Sequence, residues 1–152
     1  MRRIAVVVNP IAGMGGRVGL KGTDGKVAQA RKRGAEQRAP DRARGALRSM
    51  AEVGGDIEVV TYGDPMGASL VREAGFDPVV VGEPADPDAT TGEDTRAAVR
   101  EFVTRGVDCL LFVGGDGTAV DVAETLDAMD DDTPILGVPA GVKVYSSVFG
   151  VS

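Results

Sequence analysis

Short apolar runs alternate with helical patterns along almost the whole chain. Each apolar run has the length of a strand and is bounded by glycine, proline or polar residues. The predicted strands are Ile4–Asn9, Ile57–Tyr62, Pro78–Val81, Cys109–Val113 and Ile135–Val138. The predicted helices are Lys26–Gln37, Pro40–Val53, Pro65–Ala74, Asp94–Arg105 (after a capping box of Thr90 with Glu93) and Thr118–Met129. This alternation predicts an α/β fold: a Rossmann-like, three-layer domain with a mostly parallel sheet.

The size of the chain suits one globular domain over residues 1–152, and 43% hydrophobic with 26% charged residues is an ordinary composition for such a domain. Its single cysteine, Cys109, cannot form an internal disulfide, which favours a reducing cytoplasm. The apolar run Ile4–Val8 is too short for a secretory signal or a membrane span. We therefore expect a cytoplasmic domain.

Composition also excludes several chemistries. With no histidine, Ser–His–Asp and Cys–His catalysis are ruled out, and one cysteine without any histidine also rules out an ordinary zinc site. A net charge of −6, four Phe, two Tyr and no Trp argue against a nucleic-acid partner. No amphipathic or basic–aromatic segment predicts membrane docking. Residues 26–48 hold eight basic and two acidic residues, and they form either a solvated helix face or an electropositive wall for polyanionic substrates.

The sequence Gly114-Gly115-Asp116-Gly117-Thr118 joins a predicted buried strand to a predicted helix. Ligands of open α/β sheets bind at the carboxyl ends of strands, and glycines let the backbone approach a ligand closely. The turn amides and the helix N-terminus, which Thr118 is placed to cap, favour phosphate. Asp116 then orients and deprotonates an attacking hydroxyl, holds Mg²⁺ through water, or only satisfies turn amides.

A second glycine-rich loop, Asn9–Gly25, follows the first predicted strand. Its candidate site residues are Asn9, Gly13, Gly15 and Gly16. The loop matches neither a dinucleotide-binding fingerprint nor a P-loop. Because it also follows a parallel strand, it is predicted to face the same crevice as Asp116. The alternative is a flexible connector.

A third loop, Gly137–Lys143, follows the last predicted strand. Gly141 and Lys143 are its candidate site residues, because the Lys143 ammonium is suited to a phosphate. The alternative is an ordinary surface loop.

Together these three segments resemble one family. Gly-Gly-Asp-Gly-Thr at 114–118 looks like the signature of NAD kinases and their superfamily, which includes diacylglycerol and sphingosine kinases and, more distantly, phosphofructokinases. NPIAGMGGRVGLKGTDG at 9–25 and GVPAGVKVYSSVFG at 137–150 resemble the microbial ATP–NAD kinase branch that also contains acetoin-catabolism kinase-like proteins. The resemblance spans nearly the whole chain and corresponds to the N-terminal domain of those kinases.

The resemblance implies transfer of the ATP γ-phosphoryl group to the 2′-hydroxyl of the adenosine ribose of NAD, giving NADP. Asp116 would receive the hydroxyl proton, and Mg²⁺ would bridge phosphate oxygens. Gly114, Gly115, Gly117 and Thr118 would cradle ATP phosphates, with Asn9 and the glycines at 13, 15 and 16 lining the same crevice. The resemblance further implies small-molecule nucleotide partners, a homo-oligomeric full-length protein, and a C-terminal β-rich domain with an Asn-Glu motif that these residues do not contain.

The residues leave other functions open. A kinase of another small alcohol or hydroxyketone would use the same phosphoryl-donor machinery, and the donor is either ATP or polyphosphate. A nucleotide-binding module without catalysis is the alternative from a different class.

Overall fold

The computed structural model describes residues 2–11 and 25–140, and for residues 25–38 it describes the backbone alone. The strands are β1 (Arg2–Val8), β2 (Ile57–Thr61), β3 (Val79–Val80), β4 (Cys109–Gly114) and β5 (Ile135–Pro139). They form one parallel sheet in the order β3-β2-β1-β4-β5. The predicted α/β fold with a parallel sheet is confirmed.

Helices cover both faces of this sheet. They are α1 (Gly25–Val53), α2 (Ala68–Glu73), α3 (Gly92–Arg105) and α4 (Asp116–Ala128). Buried side chains of α1 and α2 pack on one face of the sheet, and those of α3 and α4 pack on the other. The described residues therefore form three layers, as predicted.

The central strand β1 shows why the apolar runs are continuous. Ala5 and Val7 point toward α3 and α4, whereas Val6 and Val8 point toward α1 and α2. All four side chains are at most 1% exposed. Alternate residues of a strand face opposite sides, so a strand with helices on both sides is apolar at every position. Burying one valine contributes about 1.5–3 kcal/mol, so β1 anchors both halves of the core.

The strand order contains a reversal between β1 and β4. The chain leaves β1 for α1 on one face and leaves β4 for α4 on the opposite face, although the two strands are neighbours. Where connections on adjacent strands diverge in this way, a crevice opens at the carboxyl ends of the strands. This topology points to the end of β1 and the end of β4 as the place to look for a ligand site.

The first helical region differs from the prediction. Two helices with a break before Pro40 were expected, but α1 runs through Pro40 without interruption. A proline inside a helix removes one backbone hydrogen bond and costs about 3 kcal/mol. Packing offsets this cost, because Ala39, Ala43 and Leu47 on the same helix are completely buried against the sheet.

The capping box of α3 lies one residue later than predicted. The box pairs Thr91 with Asp94 rather than Thr90 with Glu93. Asp94 accepts hydrogen bonds from the backbone N–H groups of Thr91 at 2.8 Å and Ala85 at 3.1 Å, and it is only 8% exposed. Both residue pairs fit the capping-box pattern. The cap is formed by Asp94, the buried carboxylate that also accepts a hydrogen bond from Ala85 in the preceding loop.

Candidate functional site at the carboxyl edge of the sheet

Three strands end side by side at one edge of the sheet. Beyond the strand ends, the backbone N–H of Asn9 donates to the carbonyl of Val113 at 2.9 Å, and that of Ala140 donates to the carbonyl of Gly114 at 3.0 Å. Asn9, the end of β4 and Ala140 are therefore held in one row along this edge. Asn9 and the start of the 114–118 segment therefore lie at the same edge of the sheet, and their facing one ligand crevice stays a prediction.

The side chain of Asn9 links the end of β1 to α4. Its Oδ1 accepts a hydrogen bond from the backbone N–H of Ile11 at 3.2 Å, which closes a local turn after β1. Its Nδ2 donates to Oγ1 of Thr118 at 2.9 Å. Two predicted site residues that are 109 positions apart thus touch each other directly.

Thr118 does not cap α4 as predicted. The helix begins two residues earlier, at Asp116, with Gly115 as its N-cap, so that Thr118 is the third helical residue. Its side chain is buried, with 4% exposed, and it packs against Gly114. A Cβ atom added to Gly114 would lie 2.6 Å from Cβ of Thr118, far inside normal contact distance. Glycine at 114 is therefore required by packing within the protein.

Gly115 and Gly117 are different in kind. A Cβ atom at either position would meet nothing within 4 Å. Neither has a positive φ, so the backbone does not demand glycine at these positions. The sequence-based reasoning assigned all three glycines to a tight turn, and the structure supports a steric requirement at Gly114 alone.

Asp116 is the first residue of α4 and is half-buried. The first N–H groups of a helix have no partner within the helix and carry partial positive charge, so a carboxylate there stabilises the helix by about 0.3–1 kcal/mol. Asp116 is also engaged in an interaction within the protein. Its carboxylate and the N-terminal amides of α4 therefore lie at the same edge of the sheet as Asn9.

The remaining predicted site residues lie outside the described residues. These are Gly13, Gly15, Gly16, Gly141 and Lys143. Most of the basic segment is also outside, because side chains are described only from Ala39 onward. Among the described residues of this segment, the guanidinium of Arg44 is paired with Asp41 at 2.7 Å and with Glu73 at 3.0 Å. The hydrogen bond to Glu73 raises the pKa of Arg44 above its usual value. The predicted electropositive wall remains a prediction.

Sequence-based reasoning missed a loop beside this row, residues 63–67. The backbone N–H of Val8 donates to the carbonyl of Met66 at 2.9 Å, so this loop continues the row beyond β1 on the side of β2. Thr61 is fully buried, and its hydroxyl donates to the carbonyl of Val6 in β1 at 2.7 Å. A side chain at Gly67 would collide with this hydroxyl. The available signal was a polar residue at the end of an apolar strand followed by closely spaced glycines.

Among the side chains described within residues 2–11 and 25–140, no three acidic or cysteine groups converge as a preformed metal cluster. This is compatible with Mg²⁺, which is commonly held by one or two carboxylates together with substrate phosphates. Asp116 at the N-terminus of α4 is the carboxylate that fits this arrangement. Within the same described ranges, none of the helices has the length and apolar character needed to cross a bilayer.

Taken together, the strand order, the reversal between β1 and β4 and the glycine-bounded start of α4 define a Rossmann-like α/β domain of the class that binds ligands at this edge. The family model for the ATP-NAD kinase N-terminal domain matches residues 4–152. The chain belongs to this family, as predicted, and the membership indicates a kinase. A search of curated proteins found no match to the chain.

Proposed function

We propose that this chain is the phosphate-binding part of an NAD kinase, which transfers the γ-phosphoryl group of ATP to the 2′-hydroxyl of NAD and forms NADP. The observation that carries the proposal is the position of Asp116. Asp116 is the first residue of α4, at the reversal point of the sheet, and Thr118 two residues later contacts Asn9 at the end of β1. Membership of the ATP-NAD kinase family supplies the reaction class.

The start of α4 suits the phosphates of the donor. The backbone N–H groups of its first turn have no partner within the helix and favour an anion. Because Gly115 and Gly117 have open space beside them and no conformational need for glycine, close approach of a ligand explains their lack of side chains. The Thr118 hydroxyl adds a further polar group behind this turn.

Asp116 is proposed to act as the general base. As the acceptor hydroxyl attacks the γ-phosphorus, its O–H bond breaks and the proton passes to the Asp116 carboxylate. A new P–O bond forms to the acceptor, the P–O bond to ADP breaks, and ADP leaves with the electron pair. Phosphoryl transfer depends mainly on positioning and on neutralising charge, and one carboxylate orients the nucleophile and accepts its proton. Asp116 and the phosphates of the donor would hold Mg²⁺, which would supply that neutralisation when bound.

We propose NAD as the acceptor because the chain belongs to the ATP-NAD kinase family. The matching family model describes an N-terminal domain, so we propose that groups outside this domain contribute to the NAD site and to assembly of a homo-oligomer. A small alcohol or hydroxyketone as acceptor would leave the role of Asp116 unchanged. We place the activity in the cytoplasm, which suits a chain with one cysteine.

The proposal is tested with the longest natural polypeptide that contains this chain, supplied with NAD and Mg-ATP. Asp116→Asn keeps the size of the side chain and removes the base, and we expect it to lower the rate of NADP formation by about 10²–10⁴-fold while ATP still binds. Asp127→Asn is the matched control, since Asp127 is an exposed carboxylate near the other end of the same helix. This control should retain the wild-type rate.

Each result has a defined meaning. Full activity of the Asp116→Asn variant would exclude Asp116 as the base. A wild-type protein that binds ATP but forms no NADP would exclude NAD as acceptor, and other hydroxyl compounds would then be screened. A wild-type protein that shows ATP binding but no phosphoryl transfer to any acceptor would favour a non-catalytic nucleotide-binding module. Replacing ATP by polyphosphate in the same assay identifies the donor.

A further inference from the structure

The side-chain hydroxyl of Thr118 accepts a hydrogen bond from Asn9, whereas the hydroxyls of two other helical threonines donate one. Thr104 and Thr125 donate their hydroxyl protons to the carbonyl four residues earlier, at 2.9 and 2.7 Å. This is the usual way in which a helix satisfies a threonine. For Thr118 the corresponding carbonyl is that of Gly114, which accepts the backbone N–H of Ala140 at 3.0 Å.

The hydrogen bond that the structure gives for the Thr118 hydroxyl is one that it accepts, from Asn9. A hydroxyl group has one proton to donate and two lone pairs that accept. Nδ2 of Asn9 can only donate, so its bond of 2.9 Å occupies a lone pair of Oγ1 and leaves the Thr118 proton to point elsewhere. The position of the side chain is further restricted by its burial and by close packing on Gly114.

We propose that Asn9 is a positioning residue that acts through Thr118: by donating to Oγ1 it turns the Thr118 O–H toward the N-terminus of α4, where the proton is donated to a phosphate oxygen of a nucleoside triphosphate. This inference rests on the proposed function and deepens it, because it assigns to Asn9 an orienting role in place of direct phosphate binding. The turn that Oδ1 makes with Ile11 keeps the amide in the orientation that donates to Thr118.

A double-mutant cycle separates the two roles of Asn9. Asn9→Ser is chosen because a serine can still form a turn with the N–H two residues later, although its hydroxyl is too short to replace the amide. Thr118→Val keeps the shape of the side chain and removes the hydroxyl. We expect each single variant to lower kcat/KM for ATP by about tenfold, the value of one ordinary hydrogen bond.

The double variant decides the question. If Asn9 acts through Thr118, the double variant is also about tenfold below wild type, because both changes remove the same interaction. A loss of about a hundredfold would mean that the two residues act independently, and it would overturn the proposal. Wild-type kinetics in Asn9→Ser would overturn it as well.

A second readout keeps the test independent of the acceptor. The same four proteins are compared by the rise in melting temperature that Mg-ATP causes, and the loss of this rise should show the same non-additive pattern. Glu58→Gln, which removes a partner of Arg3 at 2.7 Å at the opposite end of the sheet, is the control and should retain the wild-type response. If the wild-type protein forms no NADP but is stabilised by ATP, the proposed acceptor fails while this cycle still decides the role of Asn9. If ATP does not stabilise the wild-type protein, both proposals fail.

Discussion

Replacing two glycines of the 114–118 segment by alanine should produce opposite effects on stability. At Gly114 the new Cβ would lie 2.6 Å from Cβ of Thr118, whereas carbon atoms in contact are normally about 3.5–4.0 Å apart. The two residues must separate by roughly 1 Å, and overpacking of this kind costs about 1–3 kcal/mol. The lower chain entropy of alanine in the unfolded state offsets about 0.4–1 kcal/mol. The difference between the two ranges is a loss of about 0–2.6 kcal/mol, and the central value of about 1.3 kcal/mol corresponds to roughly 3–5 °C in melting temperature.

Gly117 provides the matched control, because alanine there meets no atom within 4 Å and lies in the first turn of a helix. Gly117→Ala should stabilise the ligand-free protein by about 0.4–1 kcal/mol. If the open space belongs to a phosphate, however, the same variant should lose most of the stabilisation that Mg-ATP gives to the wild-type protein.

Thermal unfolding of both variants with and without Mg-ATP measures the two effects together. A Gly114→Ala protein as stable as wild type would show that Thr118 does not pack as described. A Gly117→Ala protein that still responds fully to ATP would show that no ligand approaches this turn.

Two further expectations concern stability alone. Gly106 ends α3 with φ 73°, so Gly106→Ala should lower the free energy of unfolding by about 1–2 kcal/mol. Gly45 lies inside α1 with open space beside it, so Gly45→Ala should raise the free energy of unfolding by about 0.5–1 kcal/mol. Urea denaturation measures both changes, and equal shifts of the two variants would contradict the expectation. Burial, followed by the charges of Asp94 and Glu101, raises the pKa of Tyr62. The folded state therefore disfavours the phenolate, and stability should fall as the pH rises above the unfolded value of about 10. Tyr62→Phe should reduce the fall in the free energy of unfolding between about pH 9 and pH 11, and an unchanged slope would show that Tyr62 does not contribute.

Much of the fold was predictable because the relevant signals are local. All five strands were predicted to within two residues at each end, since a strand is apolar where helices cover both of its faces and is bounded by turn residues. The same locality explains the errors. Two overlapping patterns, Thr90 with Glu93 and Thr91 with Asp94, satisfy the same capping rule, and only burial of Asp94 distinguishes them.

The break expected before Pro40 was wrong for a related reason. Proline disfavours helix locally, but the completely buried residues Ala39, Ala43 and Leu47 hold both sides of it against the sheet. Propensity is a property of a few neighbouring residues, whereas this packing depends on strands far away in the chain.

The sequence by itself determined the alternation of strands and helices, the resemblance to one kinase family and the choice of Asp116 as the central acidic residue. These conclusions follow from composition, periodicity and short motifs. Only the tertiary structure decided that Asn9 donates to Thr118, that Gly114 is glycine because of Thr118, and that Gly117 has no such internal reason. Each of these facts depends on distances between residues that strand pairing and helix packing bring together, and no local pattern encodes such distances.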